Sequence, residues 1–151
     1  MTSYLDVISL DQAKLYLKID SLQTETDNEI KSMINSSLSF IEKQTNHIFK
    51  TKSKVYYKDC ALVQQVKVYD FPIINAPIGT QVRQSNSIVP TINDMVTLEL
   101  GYTNLDEIPS ELIDAALQLI KVWFYESETQ SNTSLIPLSV MQAIDVNRRF
   151  I

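Results

Sequence analysis

The sequence of 151 residues is poor in the residue types that build disulfides, metal sites and phosphate-binding loops. It holds one cysteine, one histidine and two glycines. A single cysteine cannot form an internal disulfide, and one histidine with one cysteine is too few for a His/Cys metal site. Two glycines are too few for a glycine-rich loop that cradles phosphate. We therefore expect no cofactor and no metal centre.

Long apolar runs and an excess of basic charge are also missing. No apolar run approaches the roughly 20 residues that a membrane span requires, and the opening MTSYLDVISL lacks the basic and apolar regions of a signal peptide. Thirteen basic residues stand against eighteen acidic ones, for a net charge of −5. Because free nucleic-acid binding depends on neutralising phosphates, this balance argues against it. We expect a soluble, non-secreted domain without membrane association, and a protein that merely surrounds DNA stays compatible.

The most informative stretch is a predicted long helix at about 108–126. Pro109 suits the first helical turn, and carboxylates cluster at the same end, where the helix dipole favours them. The polar positions recur at spacings of three and four, as a narrow stripe: Glu111, Asp114, Gln118 and Lys121. Since almost every other position is apolar, this helix must be covered on several sides.

Three further helices are predicted on either side of a β region. Ser9 and Gln12 have the spacing of a capping box and indicate a helix at about 9–19. The apolar period of 3.6 is cleanest at about 27–46. A last helix is predicted to begin at Pro137, because proline is favoured in the first turn.

Between the helices, a β region at about 54–101 contains short β-branched and aromatic runs separated by turn residues. We expect short antiparallel strands there and a mobile loop at 81–93. The fold class is therefore mainly α (α+β): a small helical bundle around a long central helix, with a short antiparallel β element in the middle of the chain. We divide the chain into a core domain at 1–136 and a C-terminal docking helix and tail at 137–151.

The aromatic block Trp123-Phe124-Tyr125 is the first candidate interaction site. Consecutive helical residues point about 100° apart, so the three side chains cannot all face one core. Tryptophan and tyrosine are enriched at interfaces. Self-association through these residues and Leu112 is one interpretation, and simple burial is the other.

The segment at 137–151 is the second candidate. Its apolar residues have the spacing of anchors in a helix that docks in a groove. Two arginines and an apolar end follow them. The residues assigned to docking on a partner protein are Met141, Ile144, Arg148, Arg149, Phe150 and Ile151. The alternative is a helix packed on the core of its own protomer.

Three lysines and two reactive side chains complete the candidates. In an extended strand Lys50, Lys52 and Lys54 form a basic patch that can meet phosphate at the surface or in a DNA channel, or that guards an edge strand against aggregation. His47 lacks a partner at catalytic spacing, and we interpret it as an imidazole at a helix end. Cys60 is expected to be an ordinary half-buried thiol.

The order of these parts resembles the head–tail connector (adaptor) family of tailed phages. LDQAKLYLKID at 10–20 and DNEIKSMINSSLSFIEKQTNHIF at 27–49 resemble its opening helices. VKVYDFPIINAP at 66–77 is similar to its strand, proline and second strand. LELGYTNLDEIPSELIDAALQLIKVWFYESE at 98–128 is similar to its strand, Gly-Tyr turn and long helix, and LIPLSVMQAIDVNRRFI at 135–151 to its final helix.

The resemblance implies a structural virion protein without catalytic activity. Connector proteins form rings, commonly of twelve copies, that join the portal vertex of the capsid to the tail and continue the DNA channel. The expected partners are the protein itself, the portal and the next tail or neck protein, while DNA passes through without sequence-specific binding. The expected location is the virion neck, after synthesis in the host cytoplasm. The alternative functions are a regulatory protein-binding module and a small hydrolase.

Overall fold

The computed structural model of the chain describes residues 1–129 and 136–149. Within them the chain forms a mixed α+β fold of four helices and small antiparallel sheets. The helices are α1 (Leu10–Leu17), α2 (Asp27–Thr45), α3 (Ser110–Thr129) and α4 (Leu138–Asn147). The strands are β1 (Lys52–Tyr57), β2 (Gln65–Val68), β3 (Gln81–Val82), β4 (Ser87–Pro90) and β5 (Met95–Leu100). The predicted α+β class is confirmed.

Local sequence explains where the first two helices begin and end. The Ser9 side chain accepts a hydrogen bond from the Gln12 N–H at 3.2 Å and so caps α1. Lys18 ends α1 and Asn46 ends α2, each in the left-handed conformation with φ of 60°. Asparagine tolerates this conformation better than most residues, which explains the predicted stop after α2.

The helical core is shared by two long helices, α2 and α3. They pack against each other, and both α1 and α4 contact the pair. The fully buried side chains of this interface include Ile30, Ile34, Leu38, Ile41, Leu112, Leu119 and Ile120. A bundle organised around α3 alone stays a prediction.

The β half consists of two small antiparallel sheets. In the first, Lys52 of β1 lies opposite Leu100 of β5, and Tyr57 lies opposite Met95. In the second, β4 lies between β2 and β3. A separate, smaller apolar cluster stabilises this half: Ile48, Val66, Val68, Val89, Leu98 and Leu100.

The predicted mobile loop at 81–93 is wrong for most of its length. This stretch contains β3 and β4, and Ser87 and Val89 are completely buried. The alternating side chains of β4 place these two residues inward against β2, while Ile88 lies on the other face. A strand of four residues ending in proline is too short to give a periodic signal in the sequence.

The two halves meet where β5 leads into the helical half. Gly101 has φ of 122°, and a Cβ atom at this position would lie 2.8 Å from Cα of Thr51. Only glycine permits this close backbone approach. The N-terminus adds to the junction, since the Thr51 N–H donates to the Met1 carbonyl at 2.9 Å.

Candidate interaction surfaces

The candidate interface residues of α3 divide between core and surface. Leu112 is fully buried and Phe124 is nearly so. Trp123 is half-buried against the helical core, whereas Tyr125 keeps 43% of its surface exposed. The Tyr125 hydroxyl donates to the Leu17 carbonyl at 2.9 Å, which ties α3 to the end of α1. An interface role stays a prediction, and only Trp123 and Tyr125 offer a neighbour any surface in this protomer.

The helix α4 packs on α2 and α3, and its apolar residues point in two directions. Val140 and Ile144 are buried in the helical core. Leu138 and Met141 are exposed to solvent, and Val146 is exposed beside α3. The sequence predicted that Met141 and Ile144 share one docking face. In the structure Ile144 is buried in the core, whereas Met141 is exposed to solvent.

The two arginines after α4 bind the segment to its own protomer. Arg148 donates from Nε to the Gln44 carbonyl at 2.9 Å and from Nη2 to the Gln44 side chain at 3.1 Å. The Arg149 N–H donates to the Thr45 carbonyl at 3.1 Å, and the Asn46 amide donates to the Arg149 carbonyl at 2.9 Å. Docking of this segment on a partner stays a prediction. Phe150 and Ile151, which belong to the same prediction, lie outside the described residues.

The guanidinium of Arg149 is buried, which is unusual for an arginine. Its Nη2 donates to the Arg83 carbonyl at 2.8 Å and to the Ser87 hydroxyl at 3.3 Å, and the group lies 4.7 Å from the centre of the Phe71 ring. Within residues 1–129 and 136–149, Nε and Nη1 have no hydrogen-bond partner. Burial lowers the pKa of Arg149. The end of the chain is thus held against the β half by a costly polar contact.

His47 follows α2 and is buried between the two halves. Its Nε2 lies 3.0 Å from the Asn147 carbonyl, so this nitrogen must carry the hydrogen. Its Nδ1 then accepts from the Tyr102 hydroxyl at 2.6 Å. Burial, with the charge of Arg149 nearby, lowers the pKa of His47 to about 4. Both ring nitrogens are engaged in structural contacts, which leaves no nitrogen for general base catalysis in this arrangement.

The three lysines of the basic patch are all exposed, but they differ in their contacts. Lys54 forms an ion pair with Asp70 at 2.6 Å and lies over the Tyr56 ring. Lys50 and Lys52 have no ion pair within the described part of the chain. The sequence predicted one basic patch, whereas the structure leaves two lysines available to a partner.

A surface that the sequence did not predict lies at the end of the β half. The connections after β1 and before β5 run side by side, since the Lys58 N–H donates to the Asp94 carbonyl at 2.9 Å. Five large apolar side chains are exposed there: Tyr57, Leu62, Val63, Ile92 and Met95. Cys60 lies in the same region and is exposed, so the expectation of a half-buried thiol is wrong.

A groove with charged side chains in its walls lies between α3 and α4. It encloses about 330 Å³, and its lining includes Glu111, Asp114, Ala115, Ala143 and Val146. The polar stripe of α3 therefore forms one wall of a groove and is not simply a solvated face. We call it the α3–α4 groove.

The described residues contain no candidate metal cluster and no candidate membrane span. No cluster of three or more histidine, cysteine or acidic side chains there could hold a metal ion. None of the helices in that part of the chain combines the length and the apolar character needed to cross a membrane.

The chain shares its fold with proteins of gene transfer agent particles. One similar chain comes from the virion of a native gene transfer agent (GTA) particle, with a TM-score of 0.71 and 11% identity over 100% of this chain and 93% of that chain. Another comes from the neck of an empty GTA particle computed with C6 symmetry, with a TM-score of 0.64 and 14% identity over 100% of this chain and 94% of that one. Neither the protein-family models nor the curated protein sequences give a match.

This likeness extends over the whole chain but is carried by the fold and not by conserved side chains. Identities of 11% and 14% leave few shared residues. The chemistry of the exposed surfaces therefore depends on the burial, charge and contacts of this chain's own side chains.

Proposed function

We propose that this chain is a structural protein of the neck of a phage-like virion, where copies form a ring that joins the portal vertex to the tail. The observation that carries the proposal is the fold similarity to a chain of a GTA neck, which extends over 100% of this chain and 94% of that one. The similarity to a chain of the GTA virion supports the same role. The connector-like order of elements in the sequence supports it independently.

The proposed assembly is a homo-oligomeric ring of twelve copies. The similar neck structure was computed with C6 symmetry. A ring of twelve identical chains satisfies sixfold symmetry, because every second copy is related by the sixfold rotation. Trp123 and Tyr125 contribute to the contact between neighbouring copies. Leu112 and Phe124 act indirectly, since they hold α3 in place from inside the protomer.

The proposed portal-binding element is the outer face of α4. Leu138 and Met141 are exposed, three positions apart, on a helix that packs on the core. Amphipathic helices use such apolar residues to dock on a partner. Ile144 and Arg149 fix the helix to the domain, and Arg148 remains half-exposed beside it.

The ring would continue the DNA channel without binding DNA specifically. The net charge of −5 makes the chain as a whole repel phosphate. A channel wall that holds DNA tightly would slow its passage, because each phosphate contact adds to the affinity. This charge balance supports a passage that surrounds DNA and reads no sequence.

The proposal is tested by altering the outer face of α4. We expect Leu138→Glu with Met141→Glu to abolish portal binding and tail attachment to DNA-filled heads, because the charged side chains cannot enter an apolar contact. The matched control is Gln12→Glu with Gln23→Glu, which adds two carboxylates at exposed positions outside α4. A neck reconstruction then locates the chain directly. Normal tail attachment by the double variant, or absence of the chain between portal and tail, contradicts the proposal.

A further inference from the structure

The α3–α4 groove has the chemical properties of a receptor for a lysine side chain. Ala115 and Ala143 give it short apolar side chains, and Glu111 and Asp114 line the same groove with carboxylates. Neither carboxylate forms an ion pair within residues 1–129 and 136–149. A lysine carries an aliphatic stem and a terminal ammonium, so it can bury the stem against the alanines and place its charge between the carboxylates.

The same chain presents lysines that lack a partner. Lys50 and Lys52 are exposed and unpaired in the described residues, whereas Lys54 of the same strand is bound to Asp70. Lys52 belongs to β1, which pairs with β5 on one side only in the described sheets. Lys50 lies two residues before β1, and we call the exposed surface of Lys50 and Lys52 the lysine edge.

The lysine edge and the groove belong to different parts of the protomer. The edge is attached to the N-terminus, because Thr51 donates hydrogen bonds to the Met1 carbonyl. The helix α4 forms one wall of the groove. The segment after α4 binds the β3–β4 turn, because Arg149 donates a hydrogen bond to the Arg83 carbonyl. The surfaces share no residue, so one copy can offer its lysines while its own groove receives those of another copy.

We propose that Lys50 and Lys52 of one copy bind in the α3–α4 groove of the next copy, at Glu111 and Asp114. The contact is heterologous, which is the type that closes into a ring. This inference rests on the proposed function and specifies which surfaces meet in the ring. Opposite charges of this kind select the partner surface and its register.

Charge reversal within one chain tests the contact. We expect Lys50→Glu with Lys52→Glu to weaken self-association by at least about tenfold, and Glu111→Lys with Asp114→Lys to do the same, since each creates like-charge contacts. Combining all four substitutions in one chain restores opposite charges across a heterologous contact. Association of the combined variant should therefore return toward that of the wild type, as measured by sedimentation velocity and native mass spectrometry.

Matched controls separate this contact from a general effect of charge. Lys43→Glu and Glu25→Lys alter exposed residues outside the groove and the lysine edge, and neither should change association. Raising the salt concentration from about 0.1 M to about 1 M shortens the screening length from about 10 Å to about 3 Å. The wild-type assembly should weaken under this change.

The outcomes distinguish this inference from the neck role. If the reversed chains assemble like the wild type, or the combined variant shows no recovery, the contact is wrong while a ring through other surfaces stands. A wild-type chain that stays monomeric at its highest soluble concentration also overturns the inference. The neck role is decided separately by portal binding and by the neck reconstruction.

Discussion

The helical half and the β half of this protein differ in how completely they bury their apolar side chains. The helical half packs α2 and α3 along faces of fully buried side chains such as Leu38 and Leu112. The β half has a smaller core and leaves Tyr57, Leu62 and Ile92 exposed at its end. Exposed apolar surface of this kind marks sites of interaction. Because the buried apolar cluster of the helical half is much larger, we expect that half to provide most of the stability.

The largest loss of stability is expected when one buried leucine of each apolar core is replaced by alanine. Leu112→Ala removes a fully buried side chain from the helical core, and we expect a loss of about 4 kcal/mol in the free energy of unfolding. Leu98→Ala in the β core should cost about 2 kcal/mol, because the neighbours of a small core can close part of the cavity. Urea denaturation measures both. Equal losses, or a larger loss for Leu98→Ala, would contradict the expectation that the helical core contributes more to stability than the β core.

Acid should weaken the junction between the halves through His47. At pH above 6.5, the ordinary pKa of histidine, this residue is neutral in both the folded and the unfolded chain. Between pH 6.5 and about 4, the unfolded chain binds a proton that the folded chain does not, because burial lowers the folded pKa to about 4. The free energy of unfolding should therefore fall as pH falls, by on the order of 3 kcal/mol.

The control for the acid effect is His47→Gln, which cannot titrate. Its stability should lack the part of the pH dependence that lies between pH 6.5 and 5, where few carboxyl groups titrate. Chemical denaturation at a series of pH values measures this slope. Identical slopes for the variant and the wild type would exclude His47 as the cause.

A smaller effect is expected from the backbone contact that joins the halves. Gly101→Ala places a Cβ atom 2.8 Å from Cα of Thr51 at a positive φ, so it should cost about 2 kcal/mol or more. Gly79 also has a positive φ, but a Cβ atom there meets only Pro90 Cγ at 3.6 Å. Gly79→Ala should therefore cost about 1 kcal/mol. Thermal denaturation compares the two, and a more harmful Gly79→Ala would contradict the close contact at Gly101.

The smallest effect is expected where the end of the chain crosses to the β half. Arg149→Met replaces a buried cation with an apolar side chain of similar length, which can keep the contact with the Phe71 ring. Since Nε and Nη1 lack hydrogen-bond partners in the described residues, we expect a change of no more than about 1 kcal/mol. Denaturant titration measures it. A loss of about 3 kcal/mol or more would mean that the hydrogen bonds of Nη2 to Arg83 and Ser87 outweigh the cost of burying the charge.

Helix positions were well predicted because their signals are local. The period of apolar residues in 27–46 and the cap at Ser9 depend on neighbours within a few positions, and α1 and α2 lie where those signals place them. The long helix was predicted at 108–126 and lies at Ser110–Thr129. Its polar stripe was also visible in the sequence. The groove was not, because its other wall is formed by α4, which is distant in the sequence.

The sequence by itself determined the α+β class, the helices and the scarcity of catalytic and metal-binding residue types. Only the tertiary structure decided which side chains are buried at the junction and which surfaces stay open. His47 meets Tyr102 across 55 positions and Asn147 across 100, and no local pattern encodes such a meeting. The strands β3 and β4 were likewise hidden, since short strands are stabilised by their partners and not by their own periodicity. Contacts between distant positions form only when the whole chain folds, and for that reason composition and spacing could not reveal them.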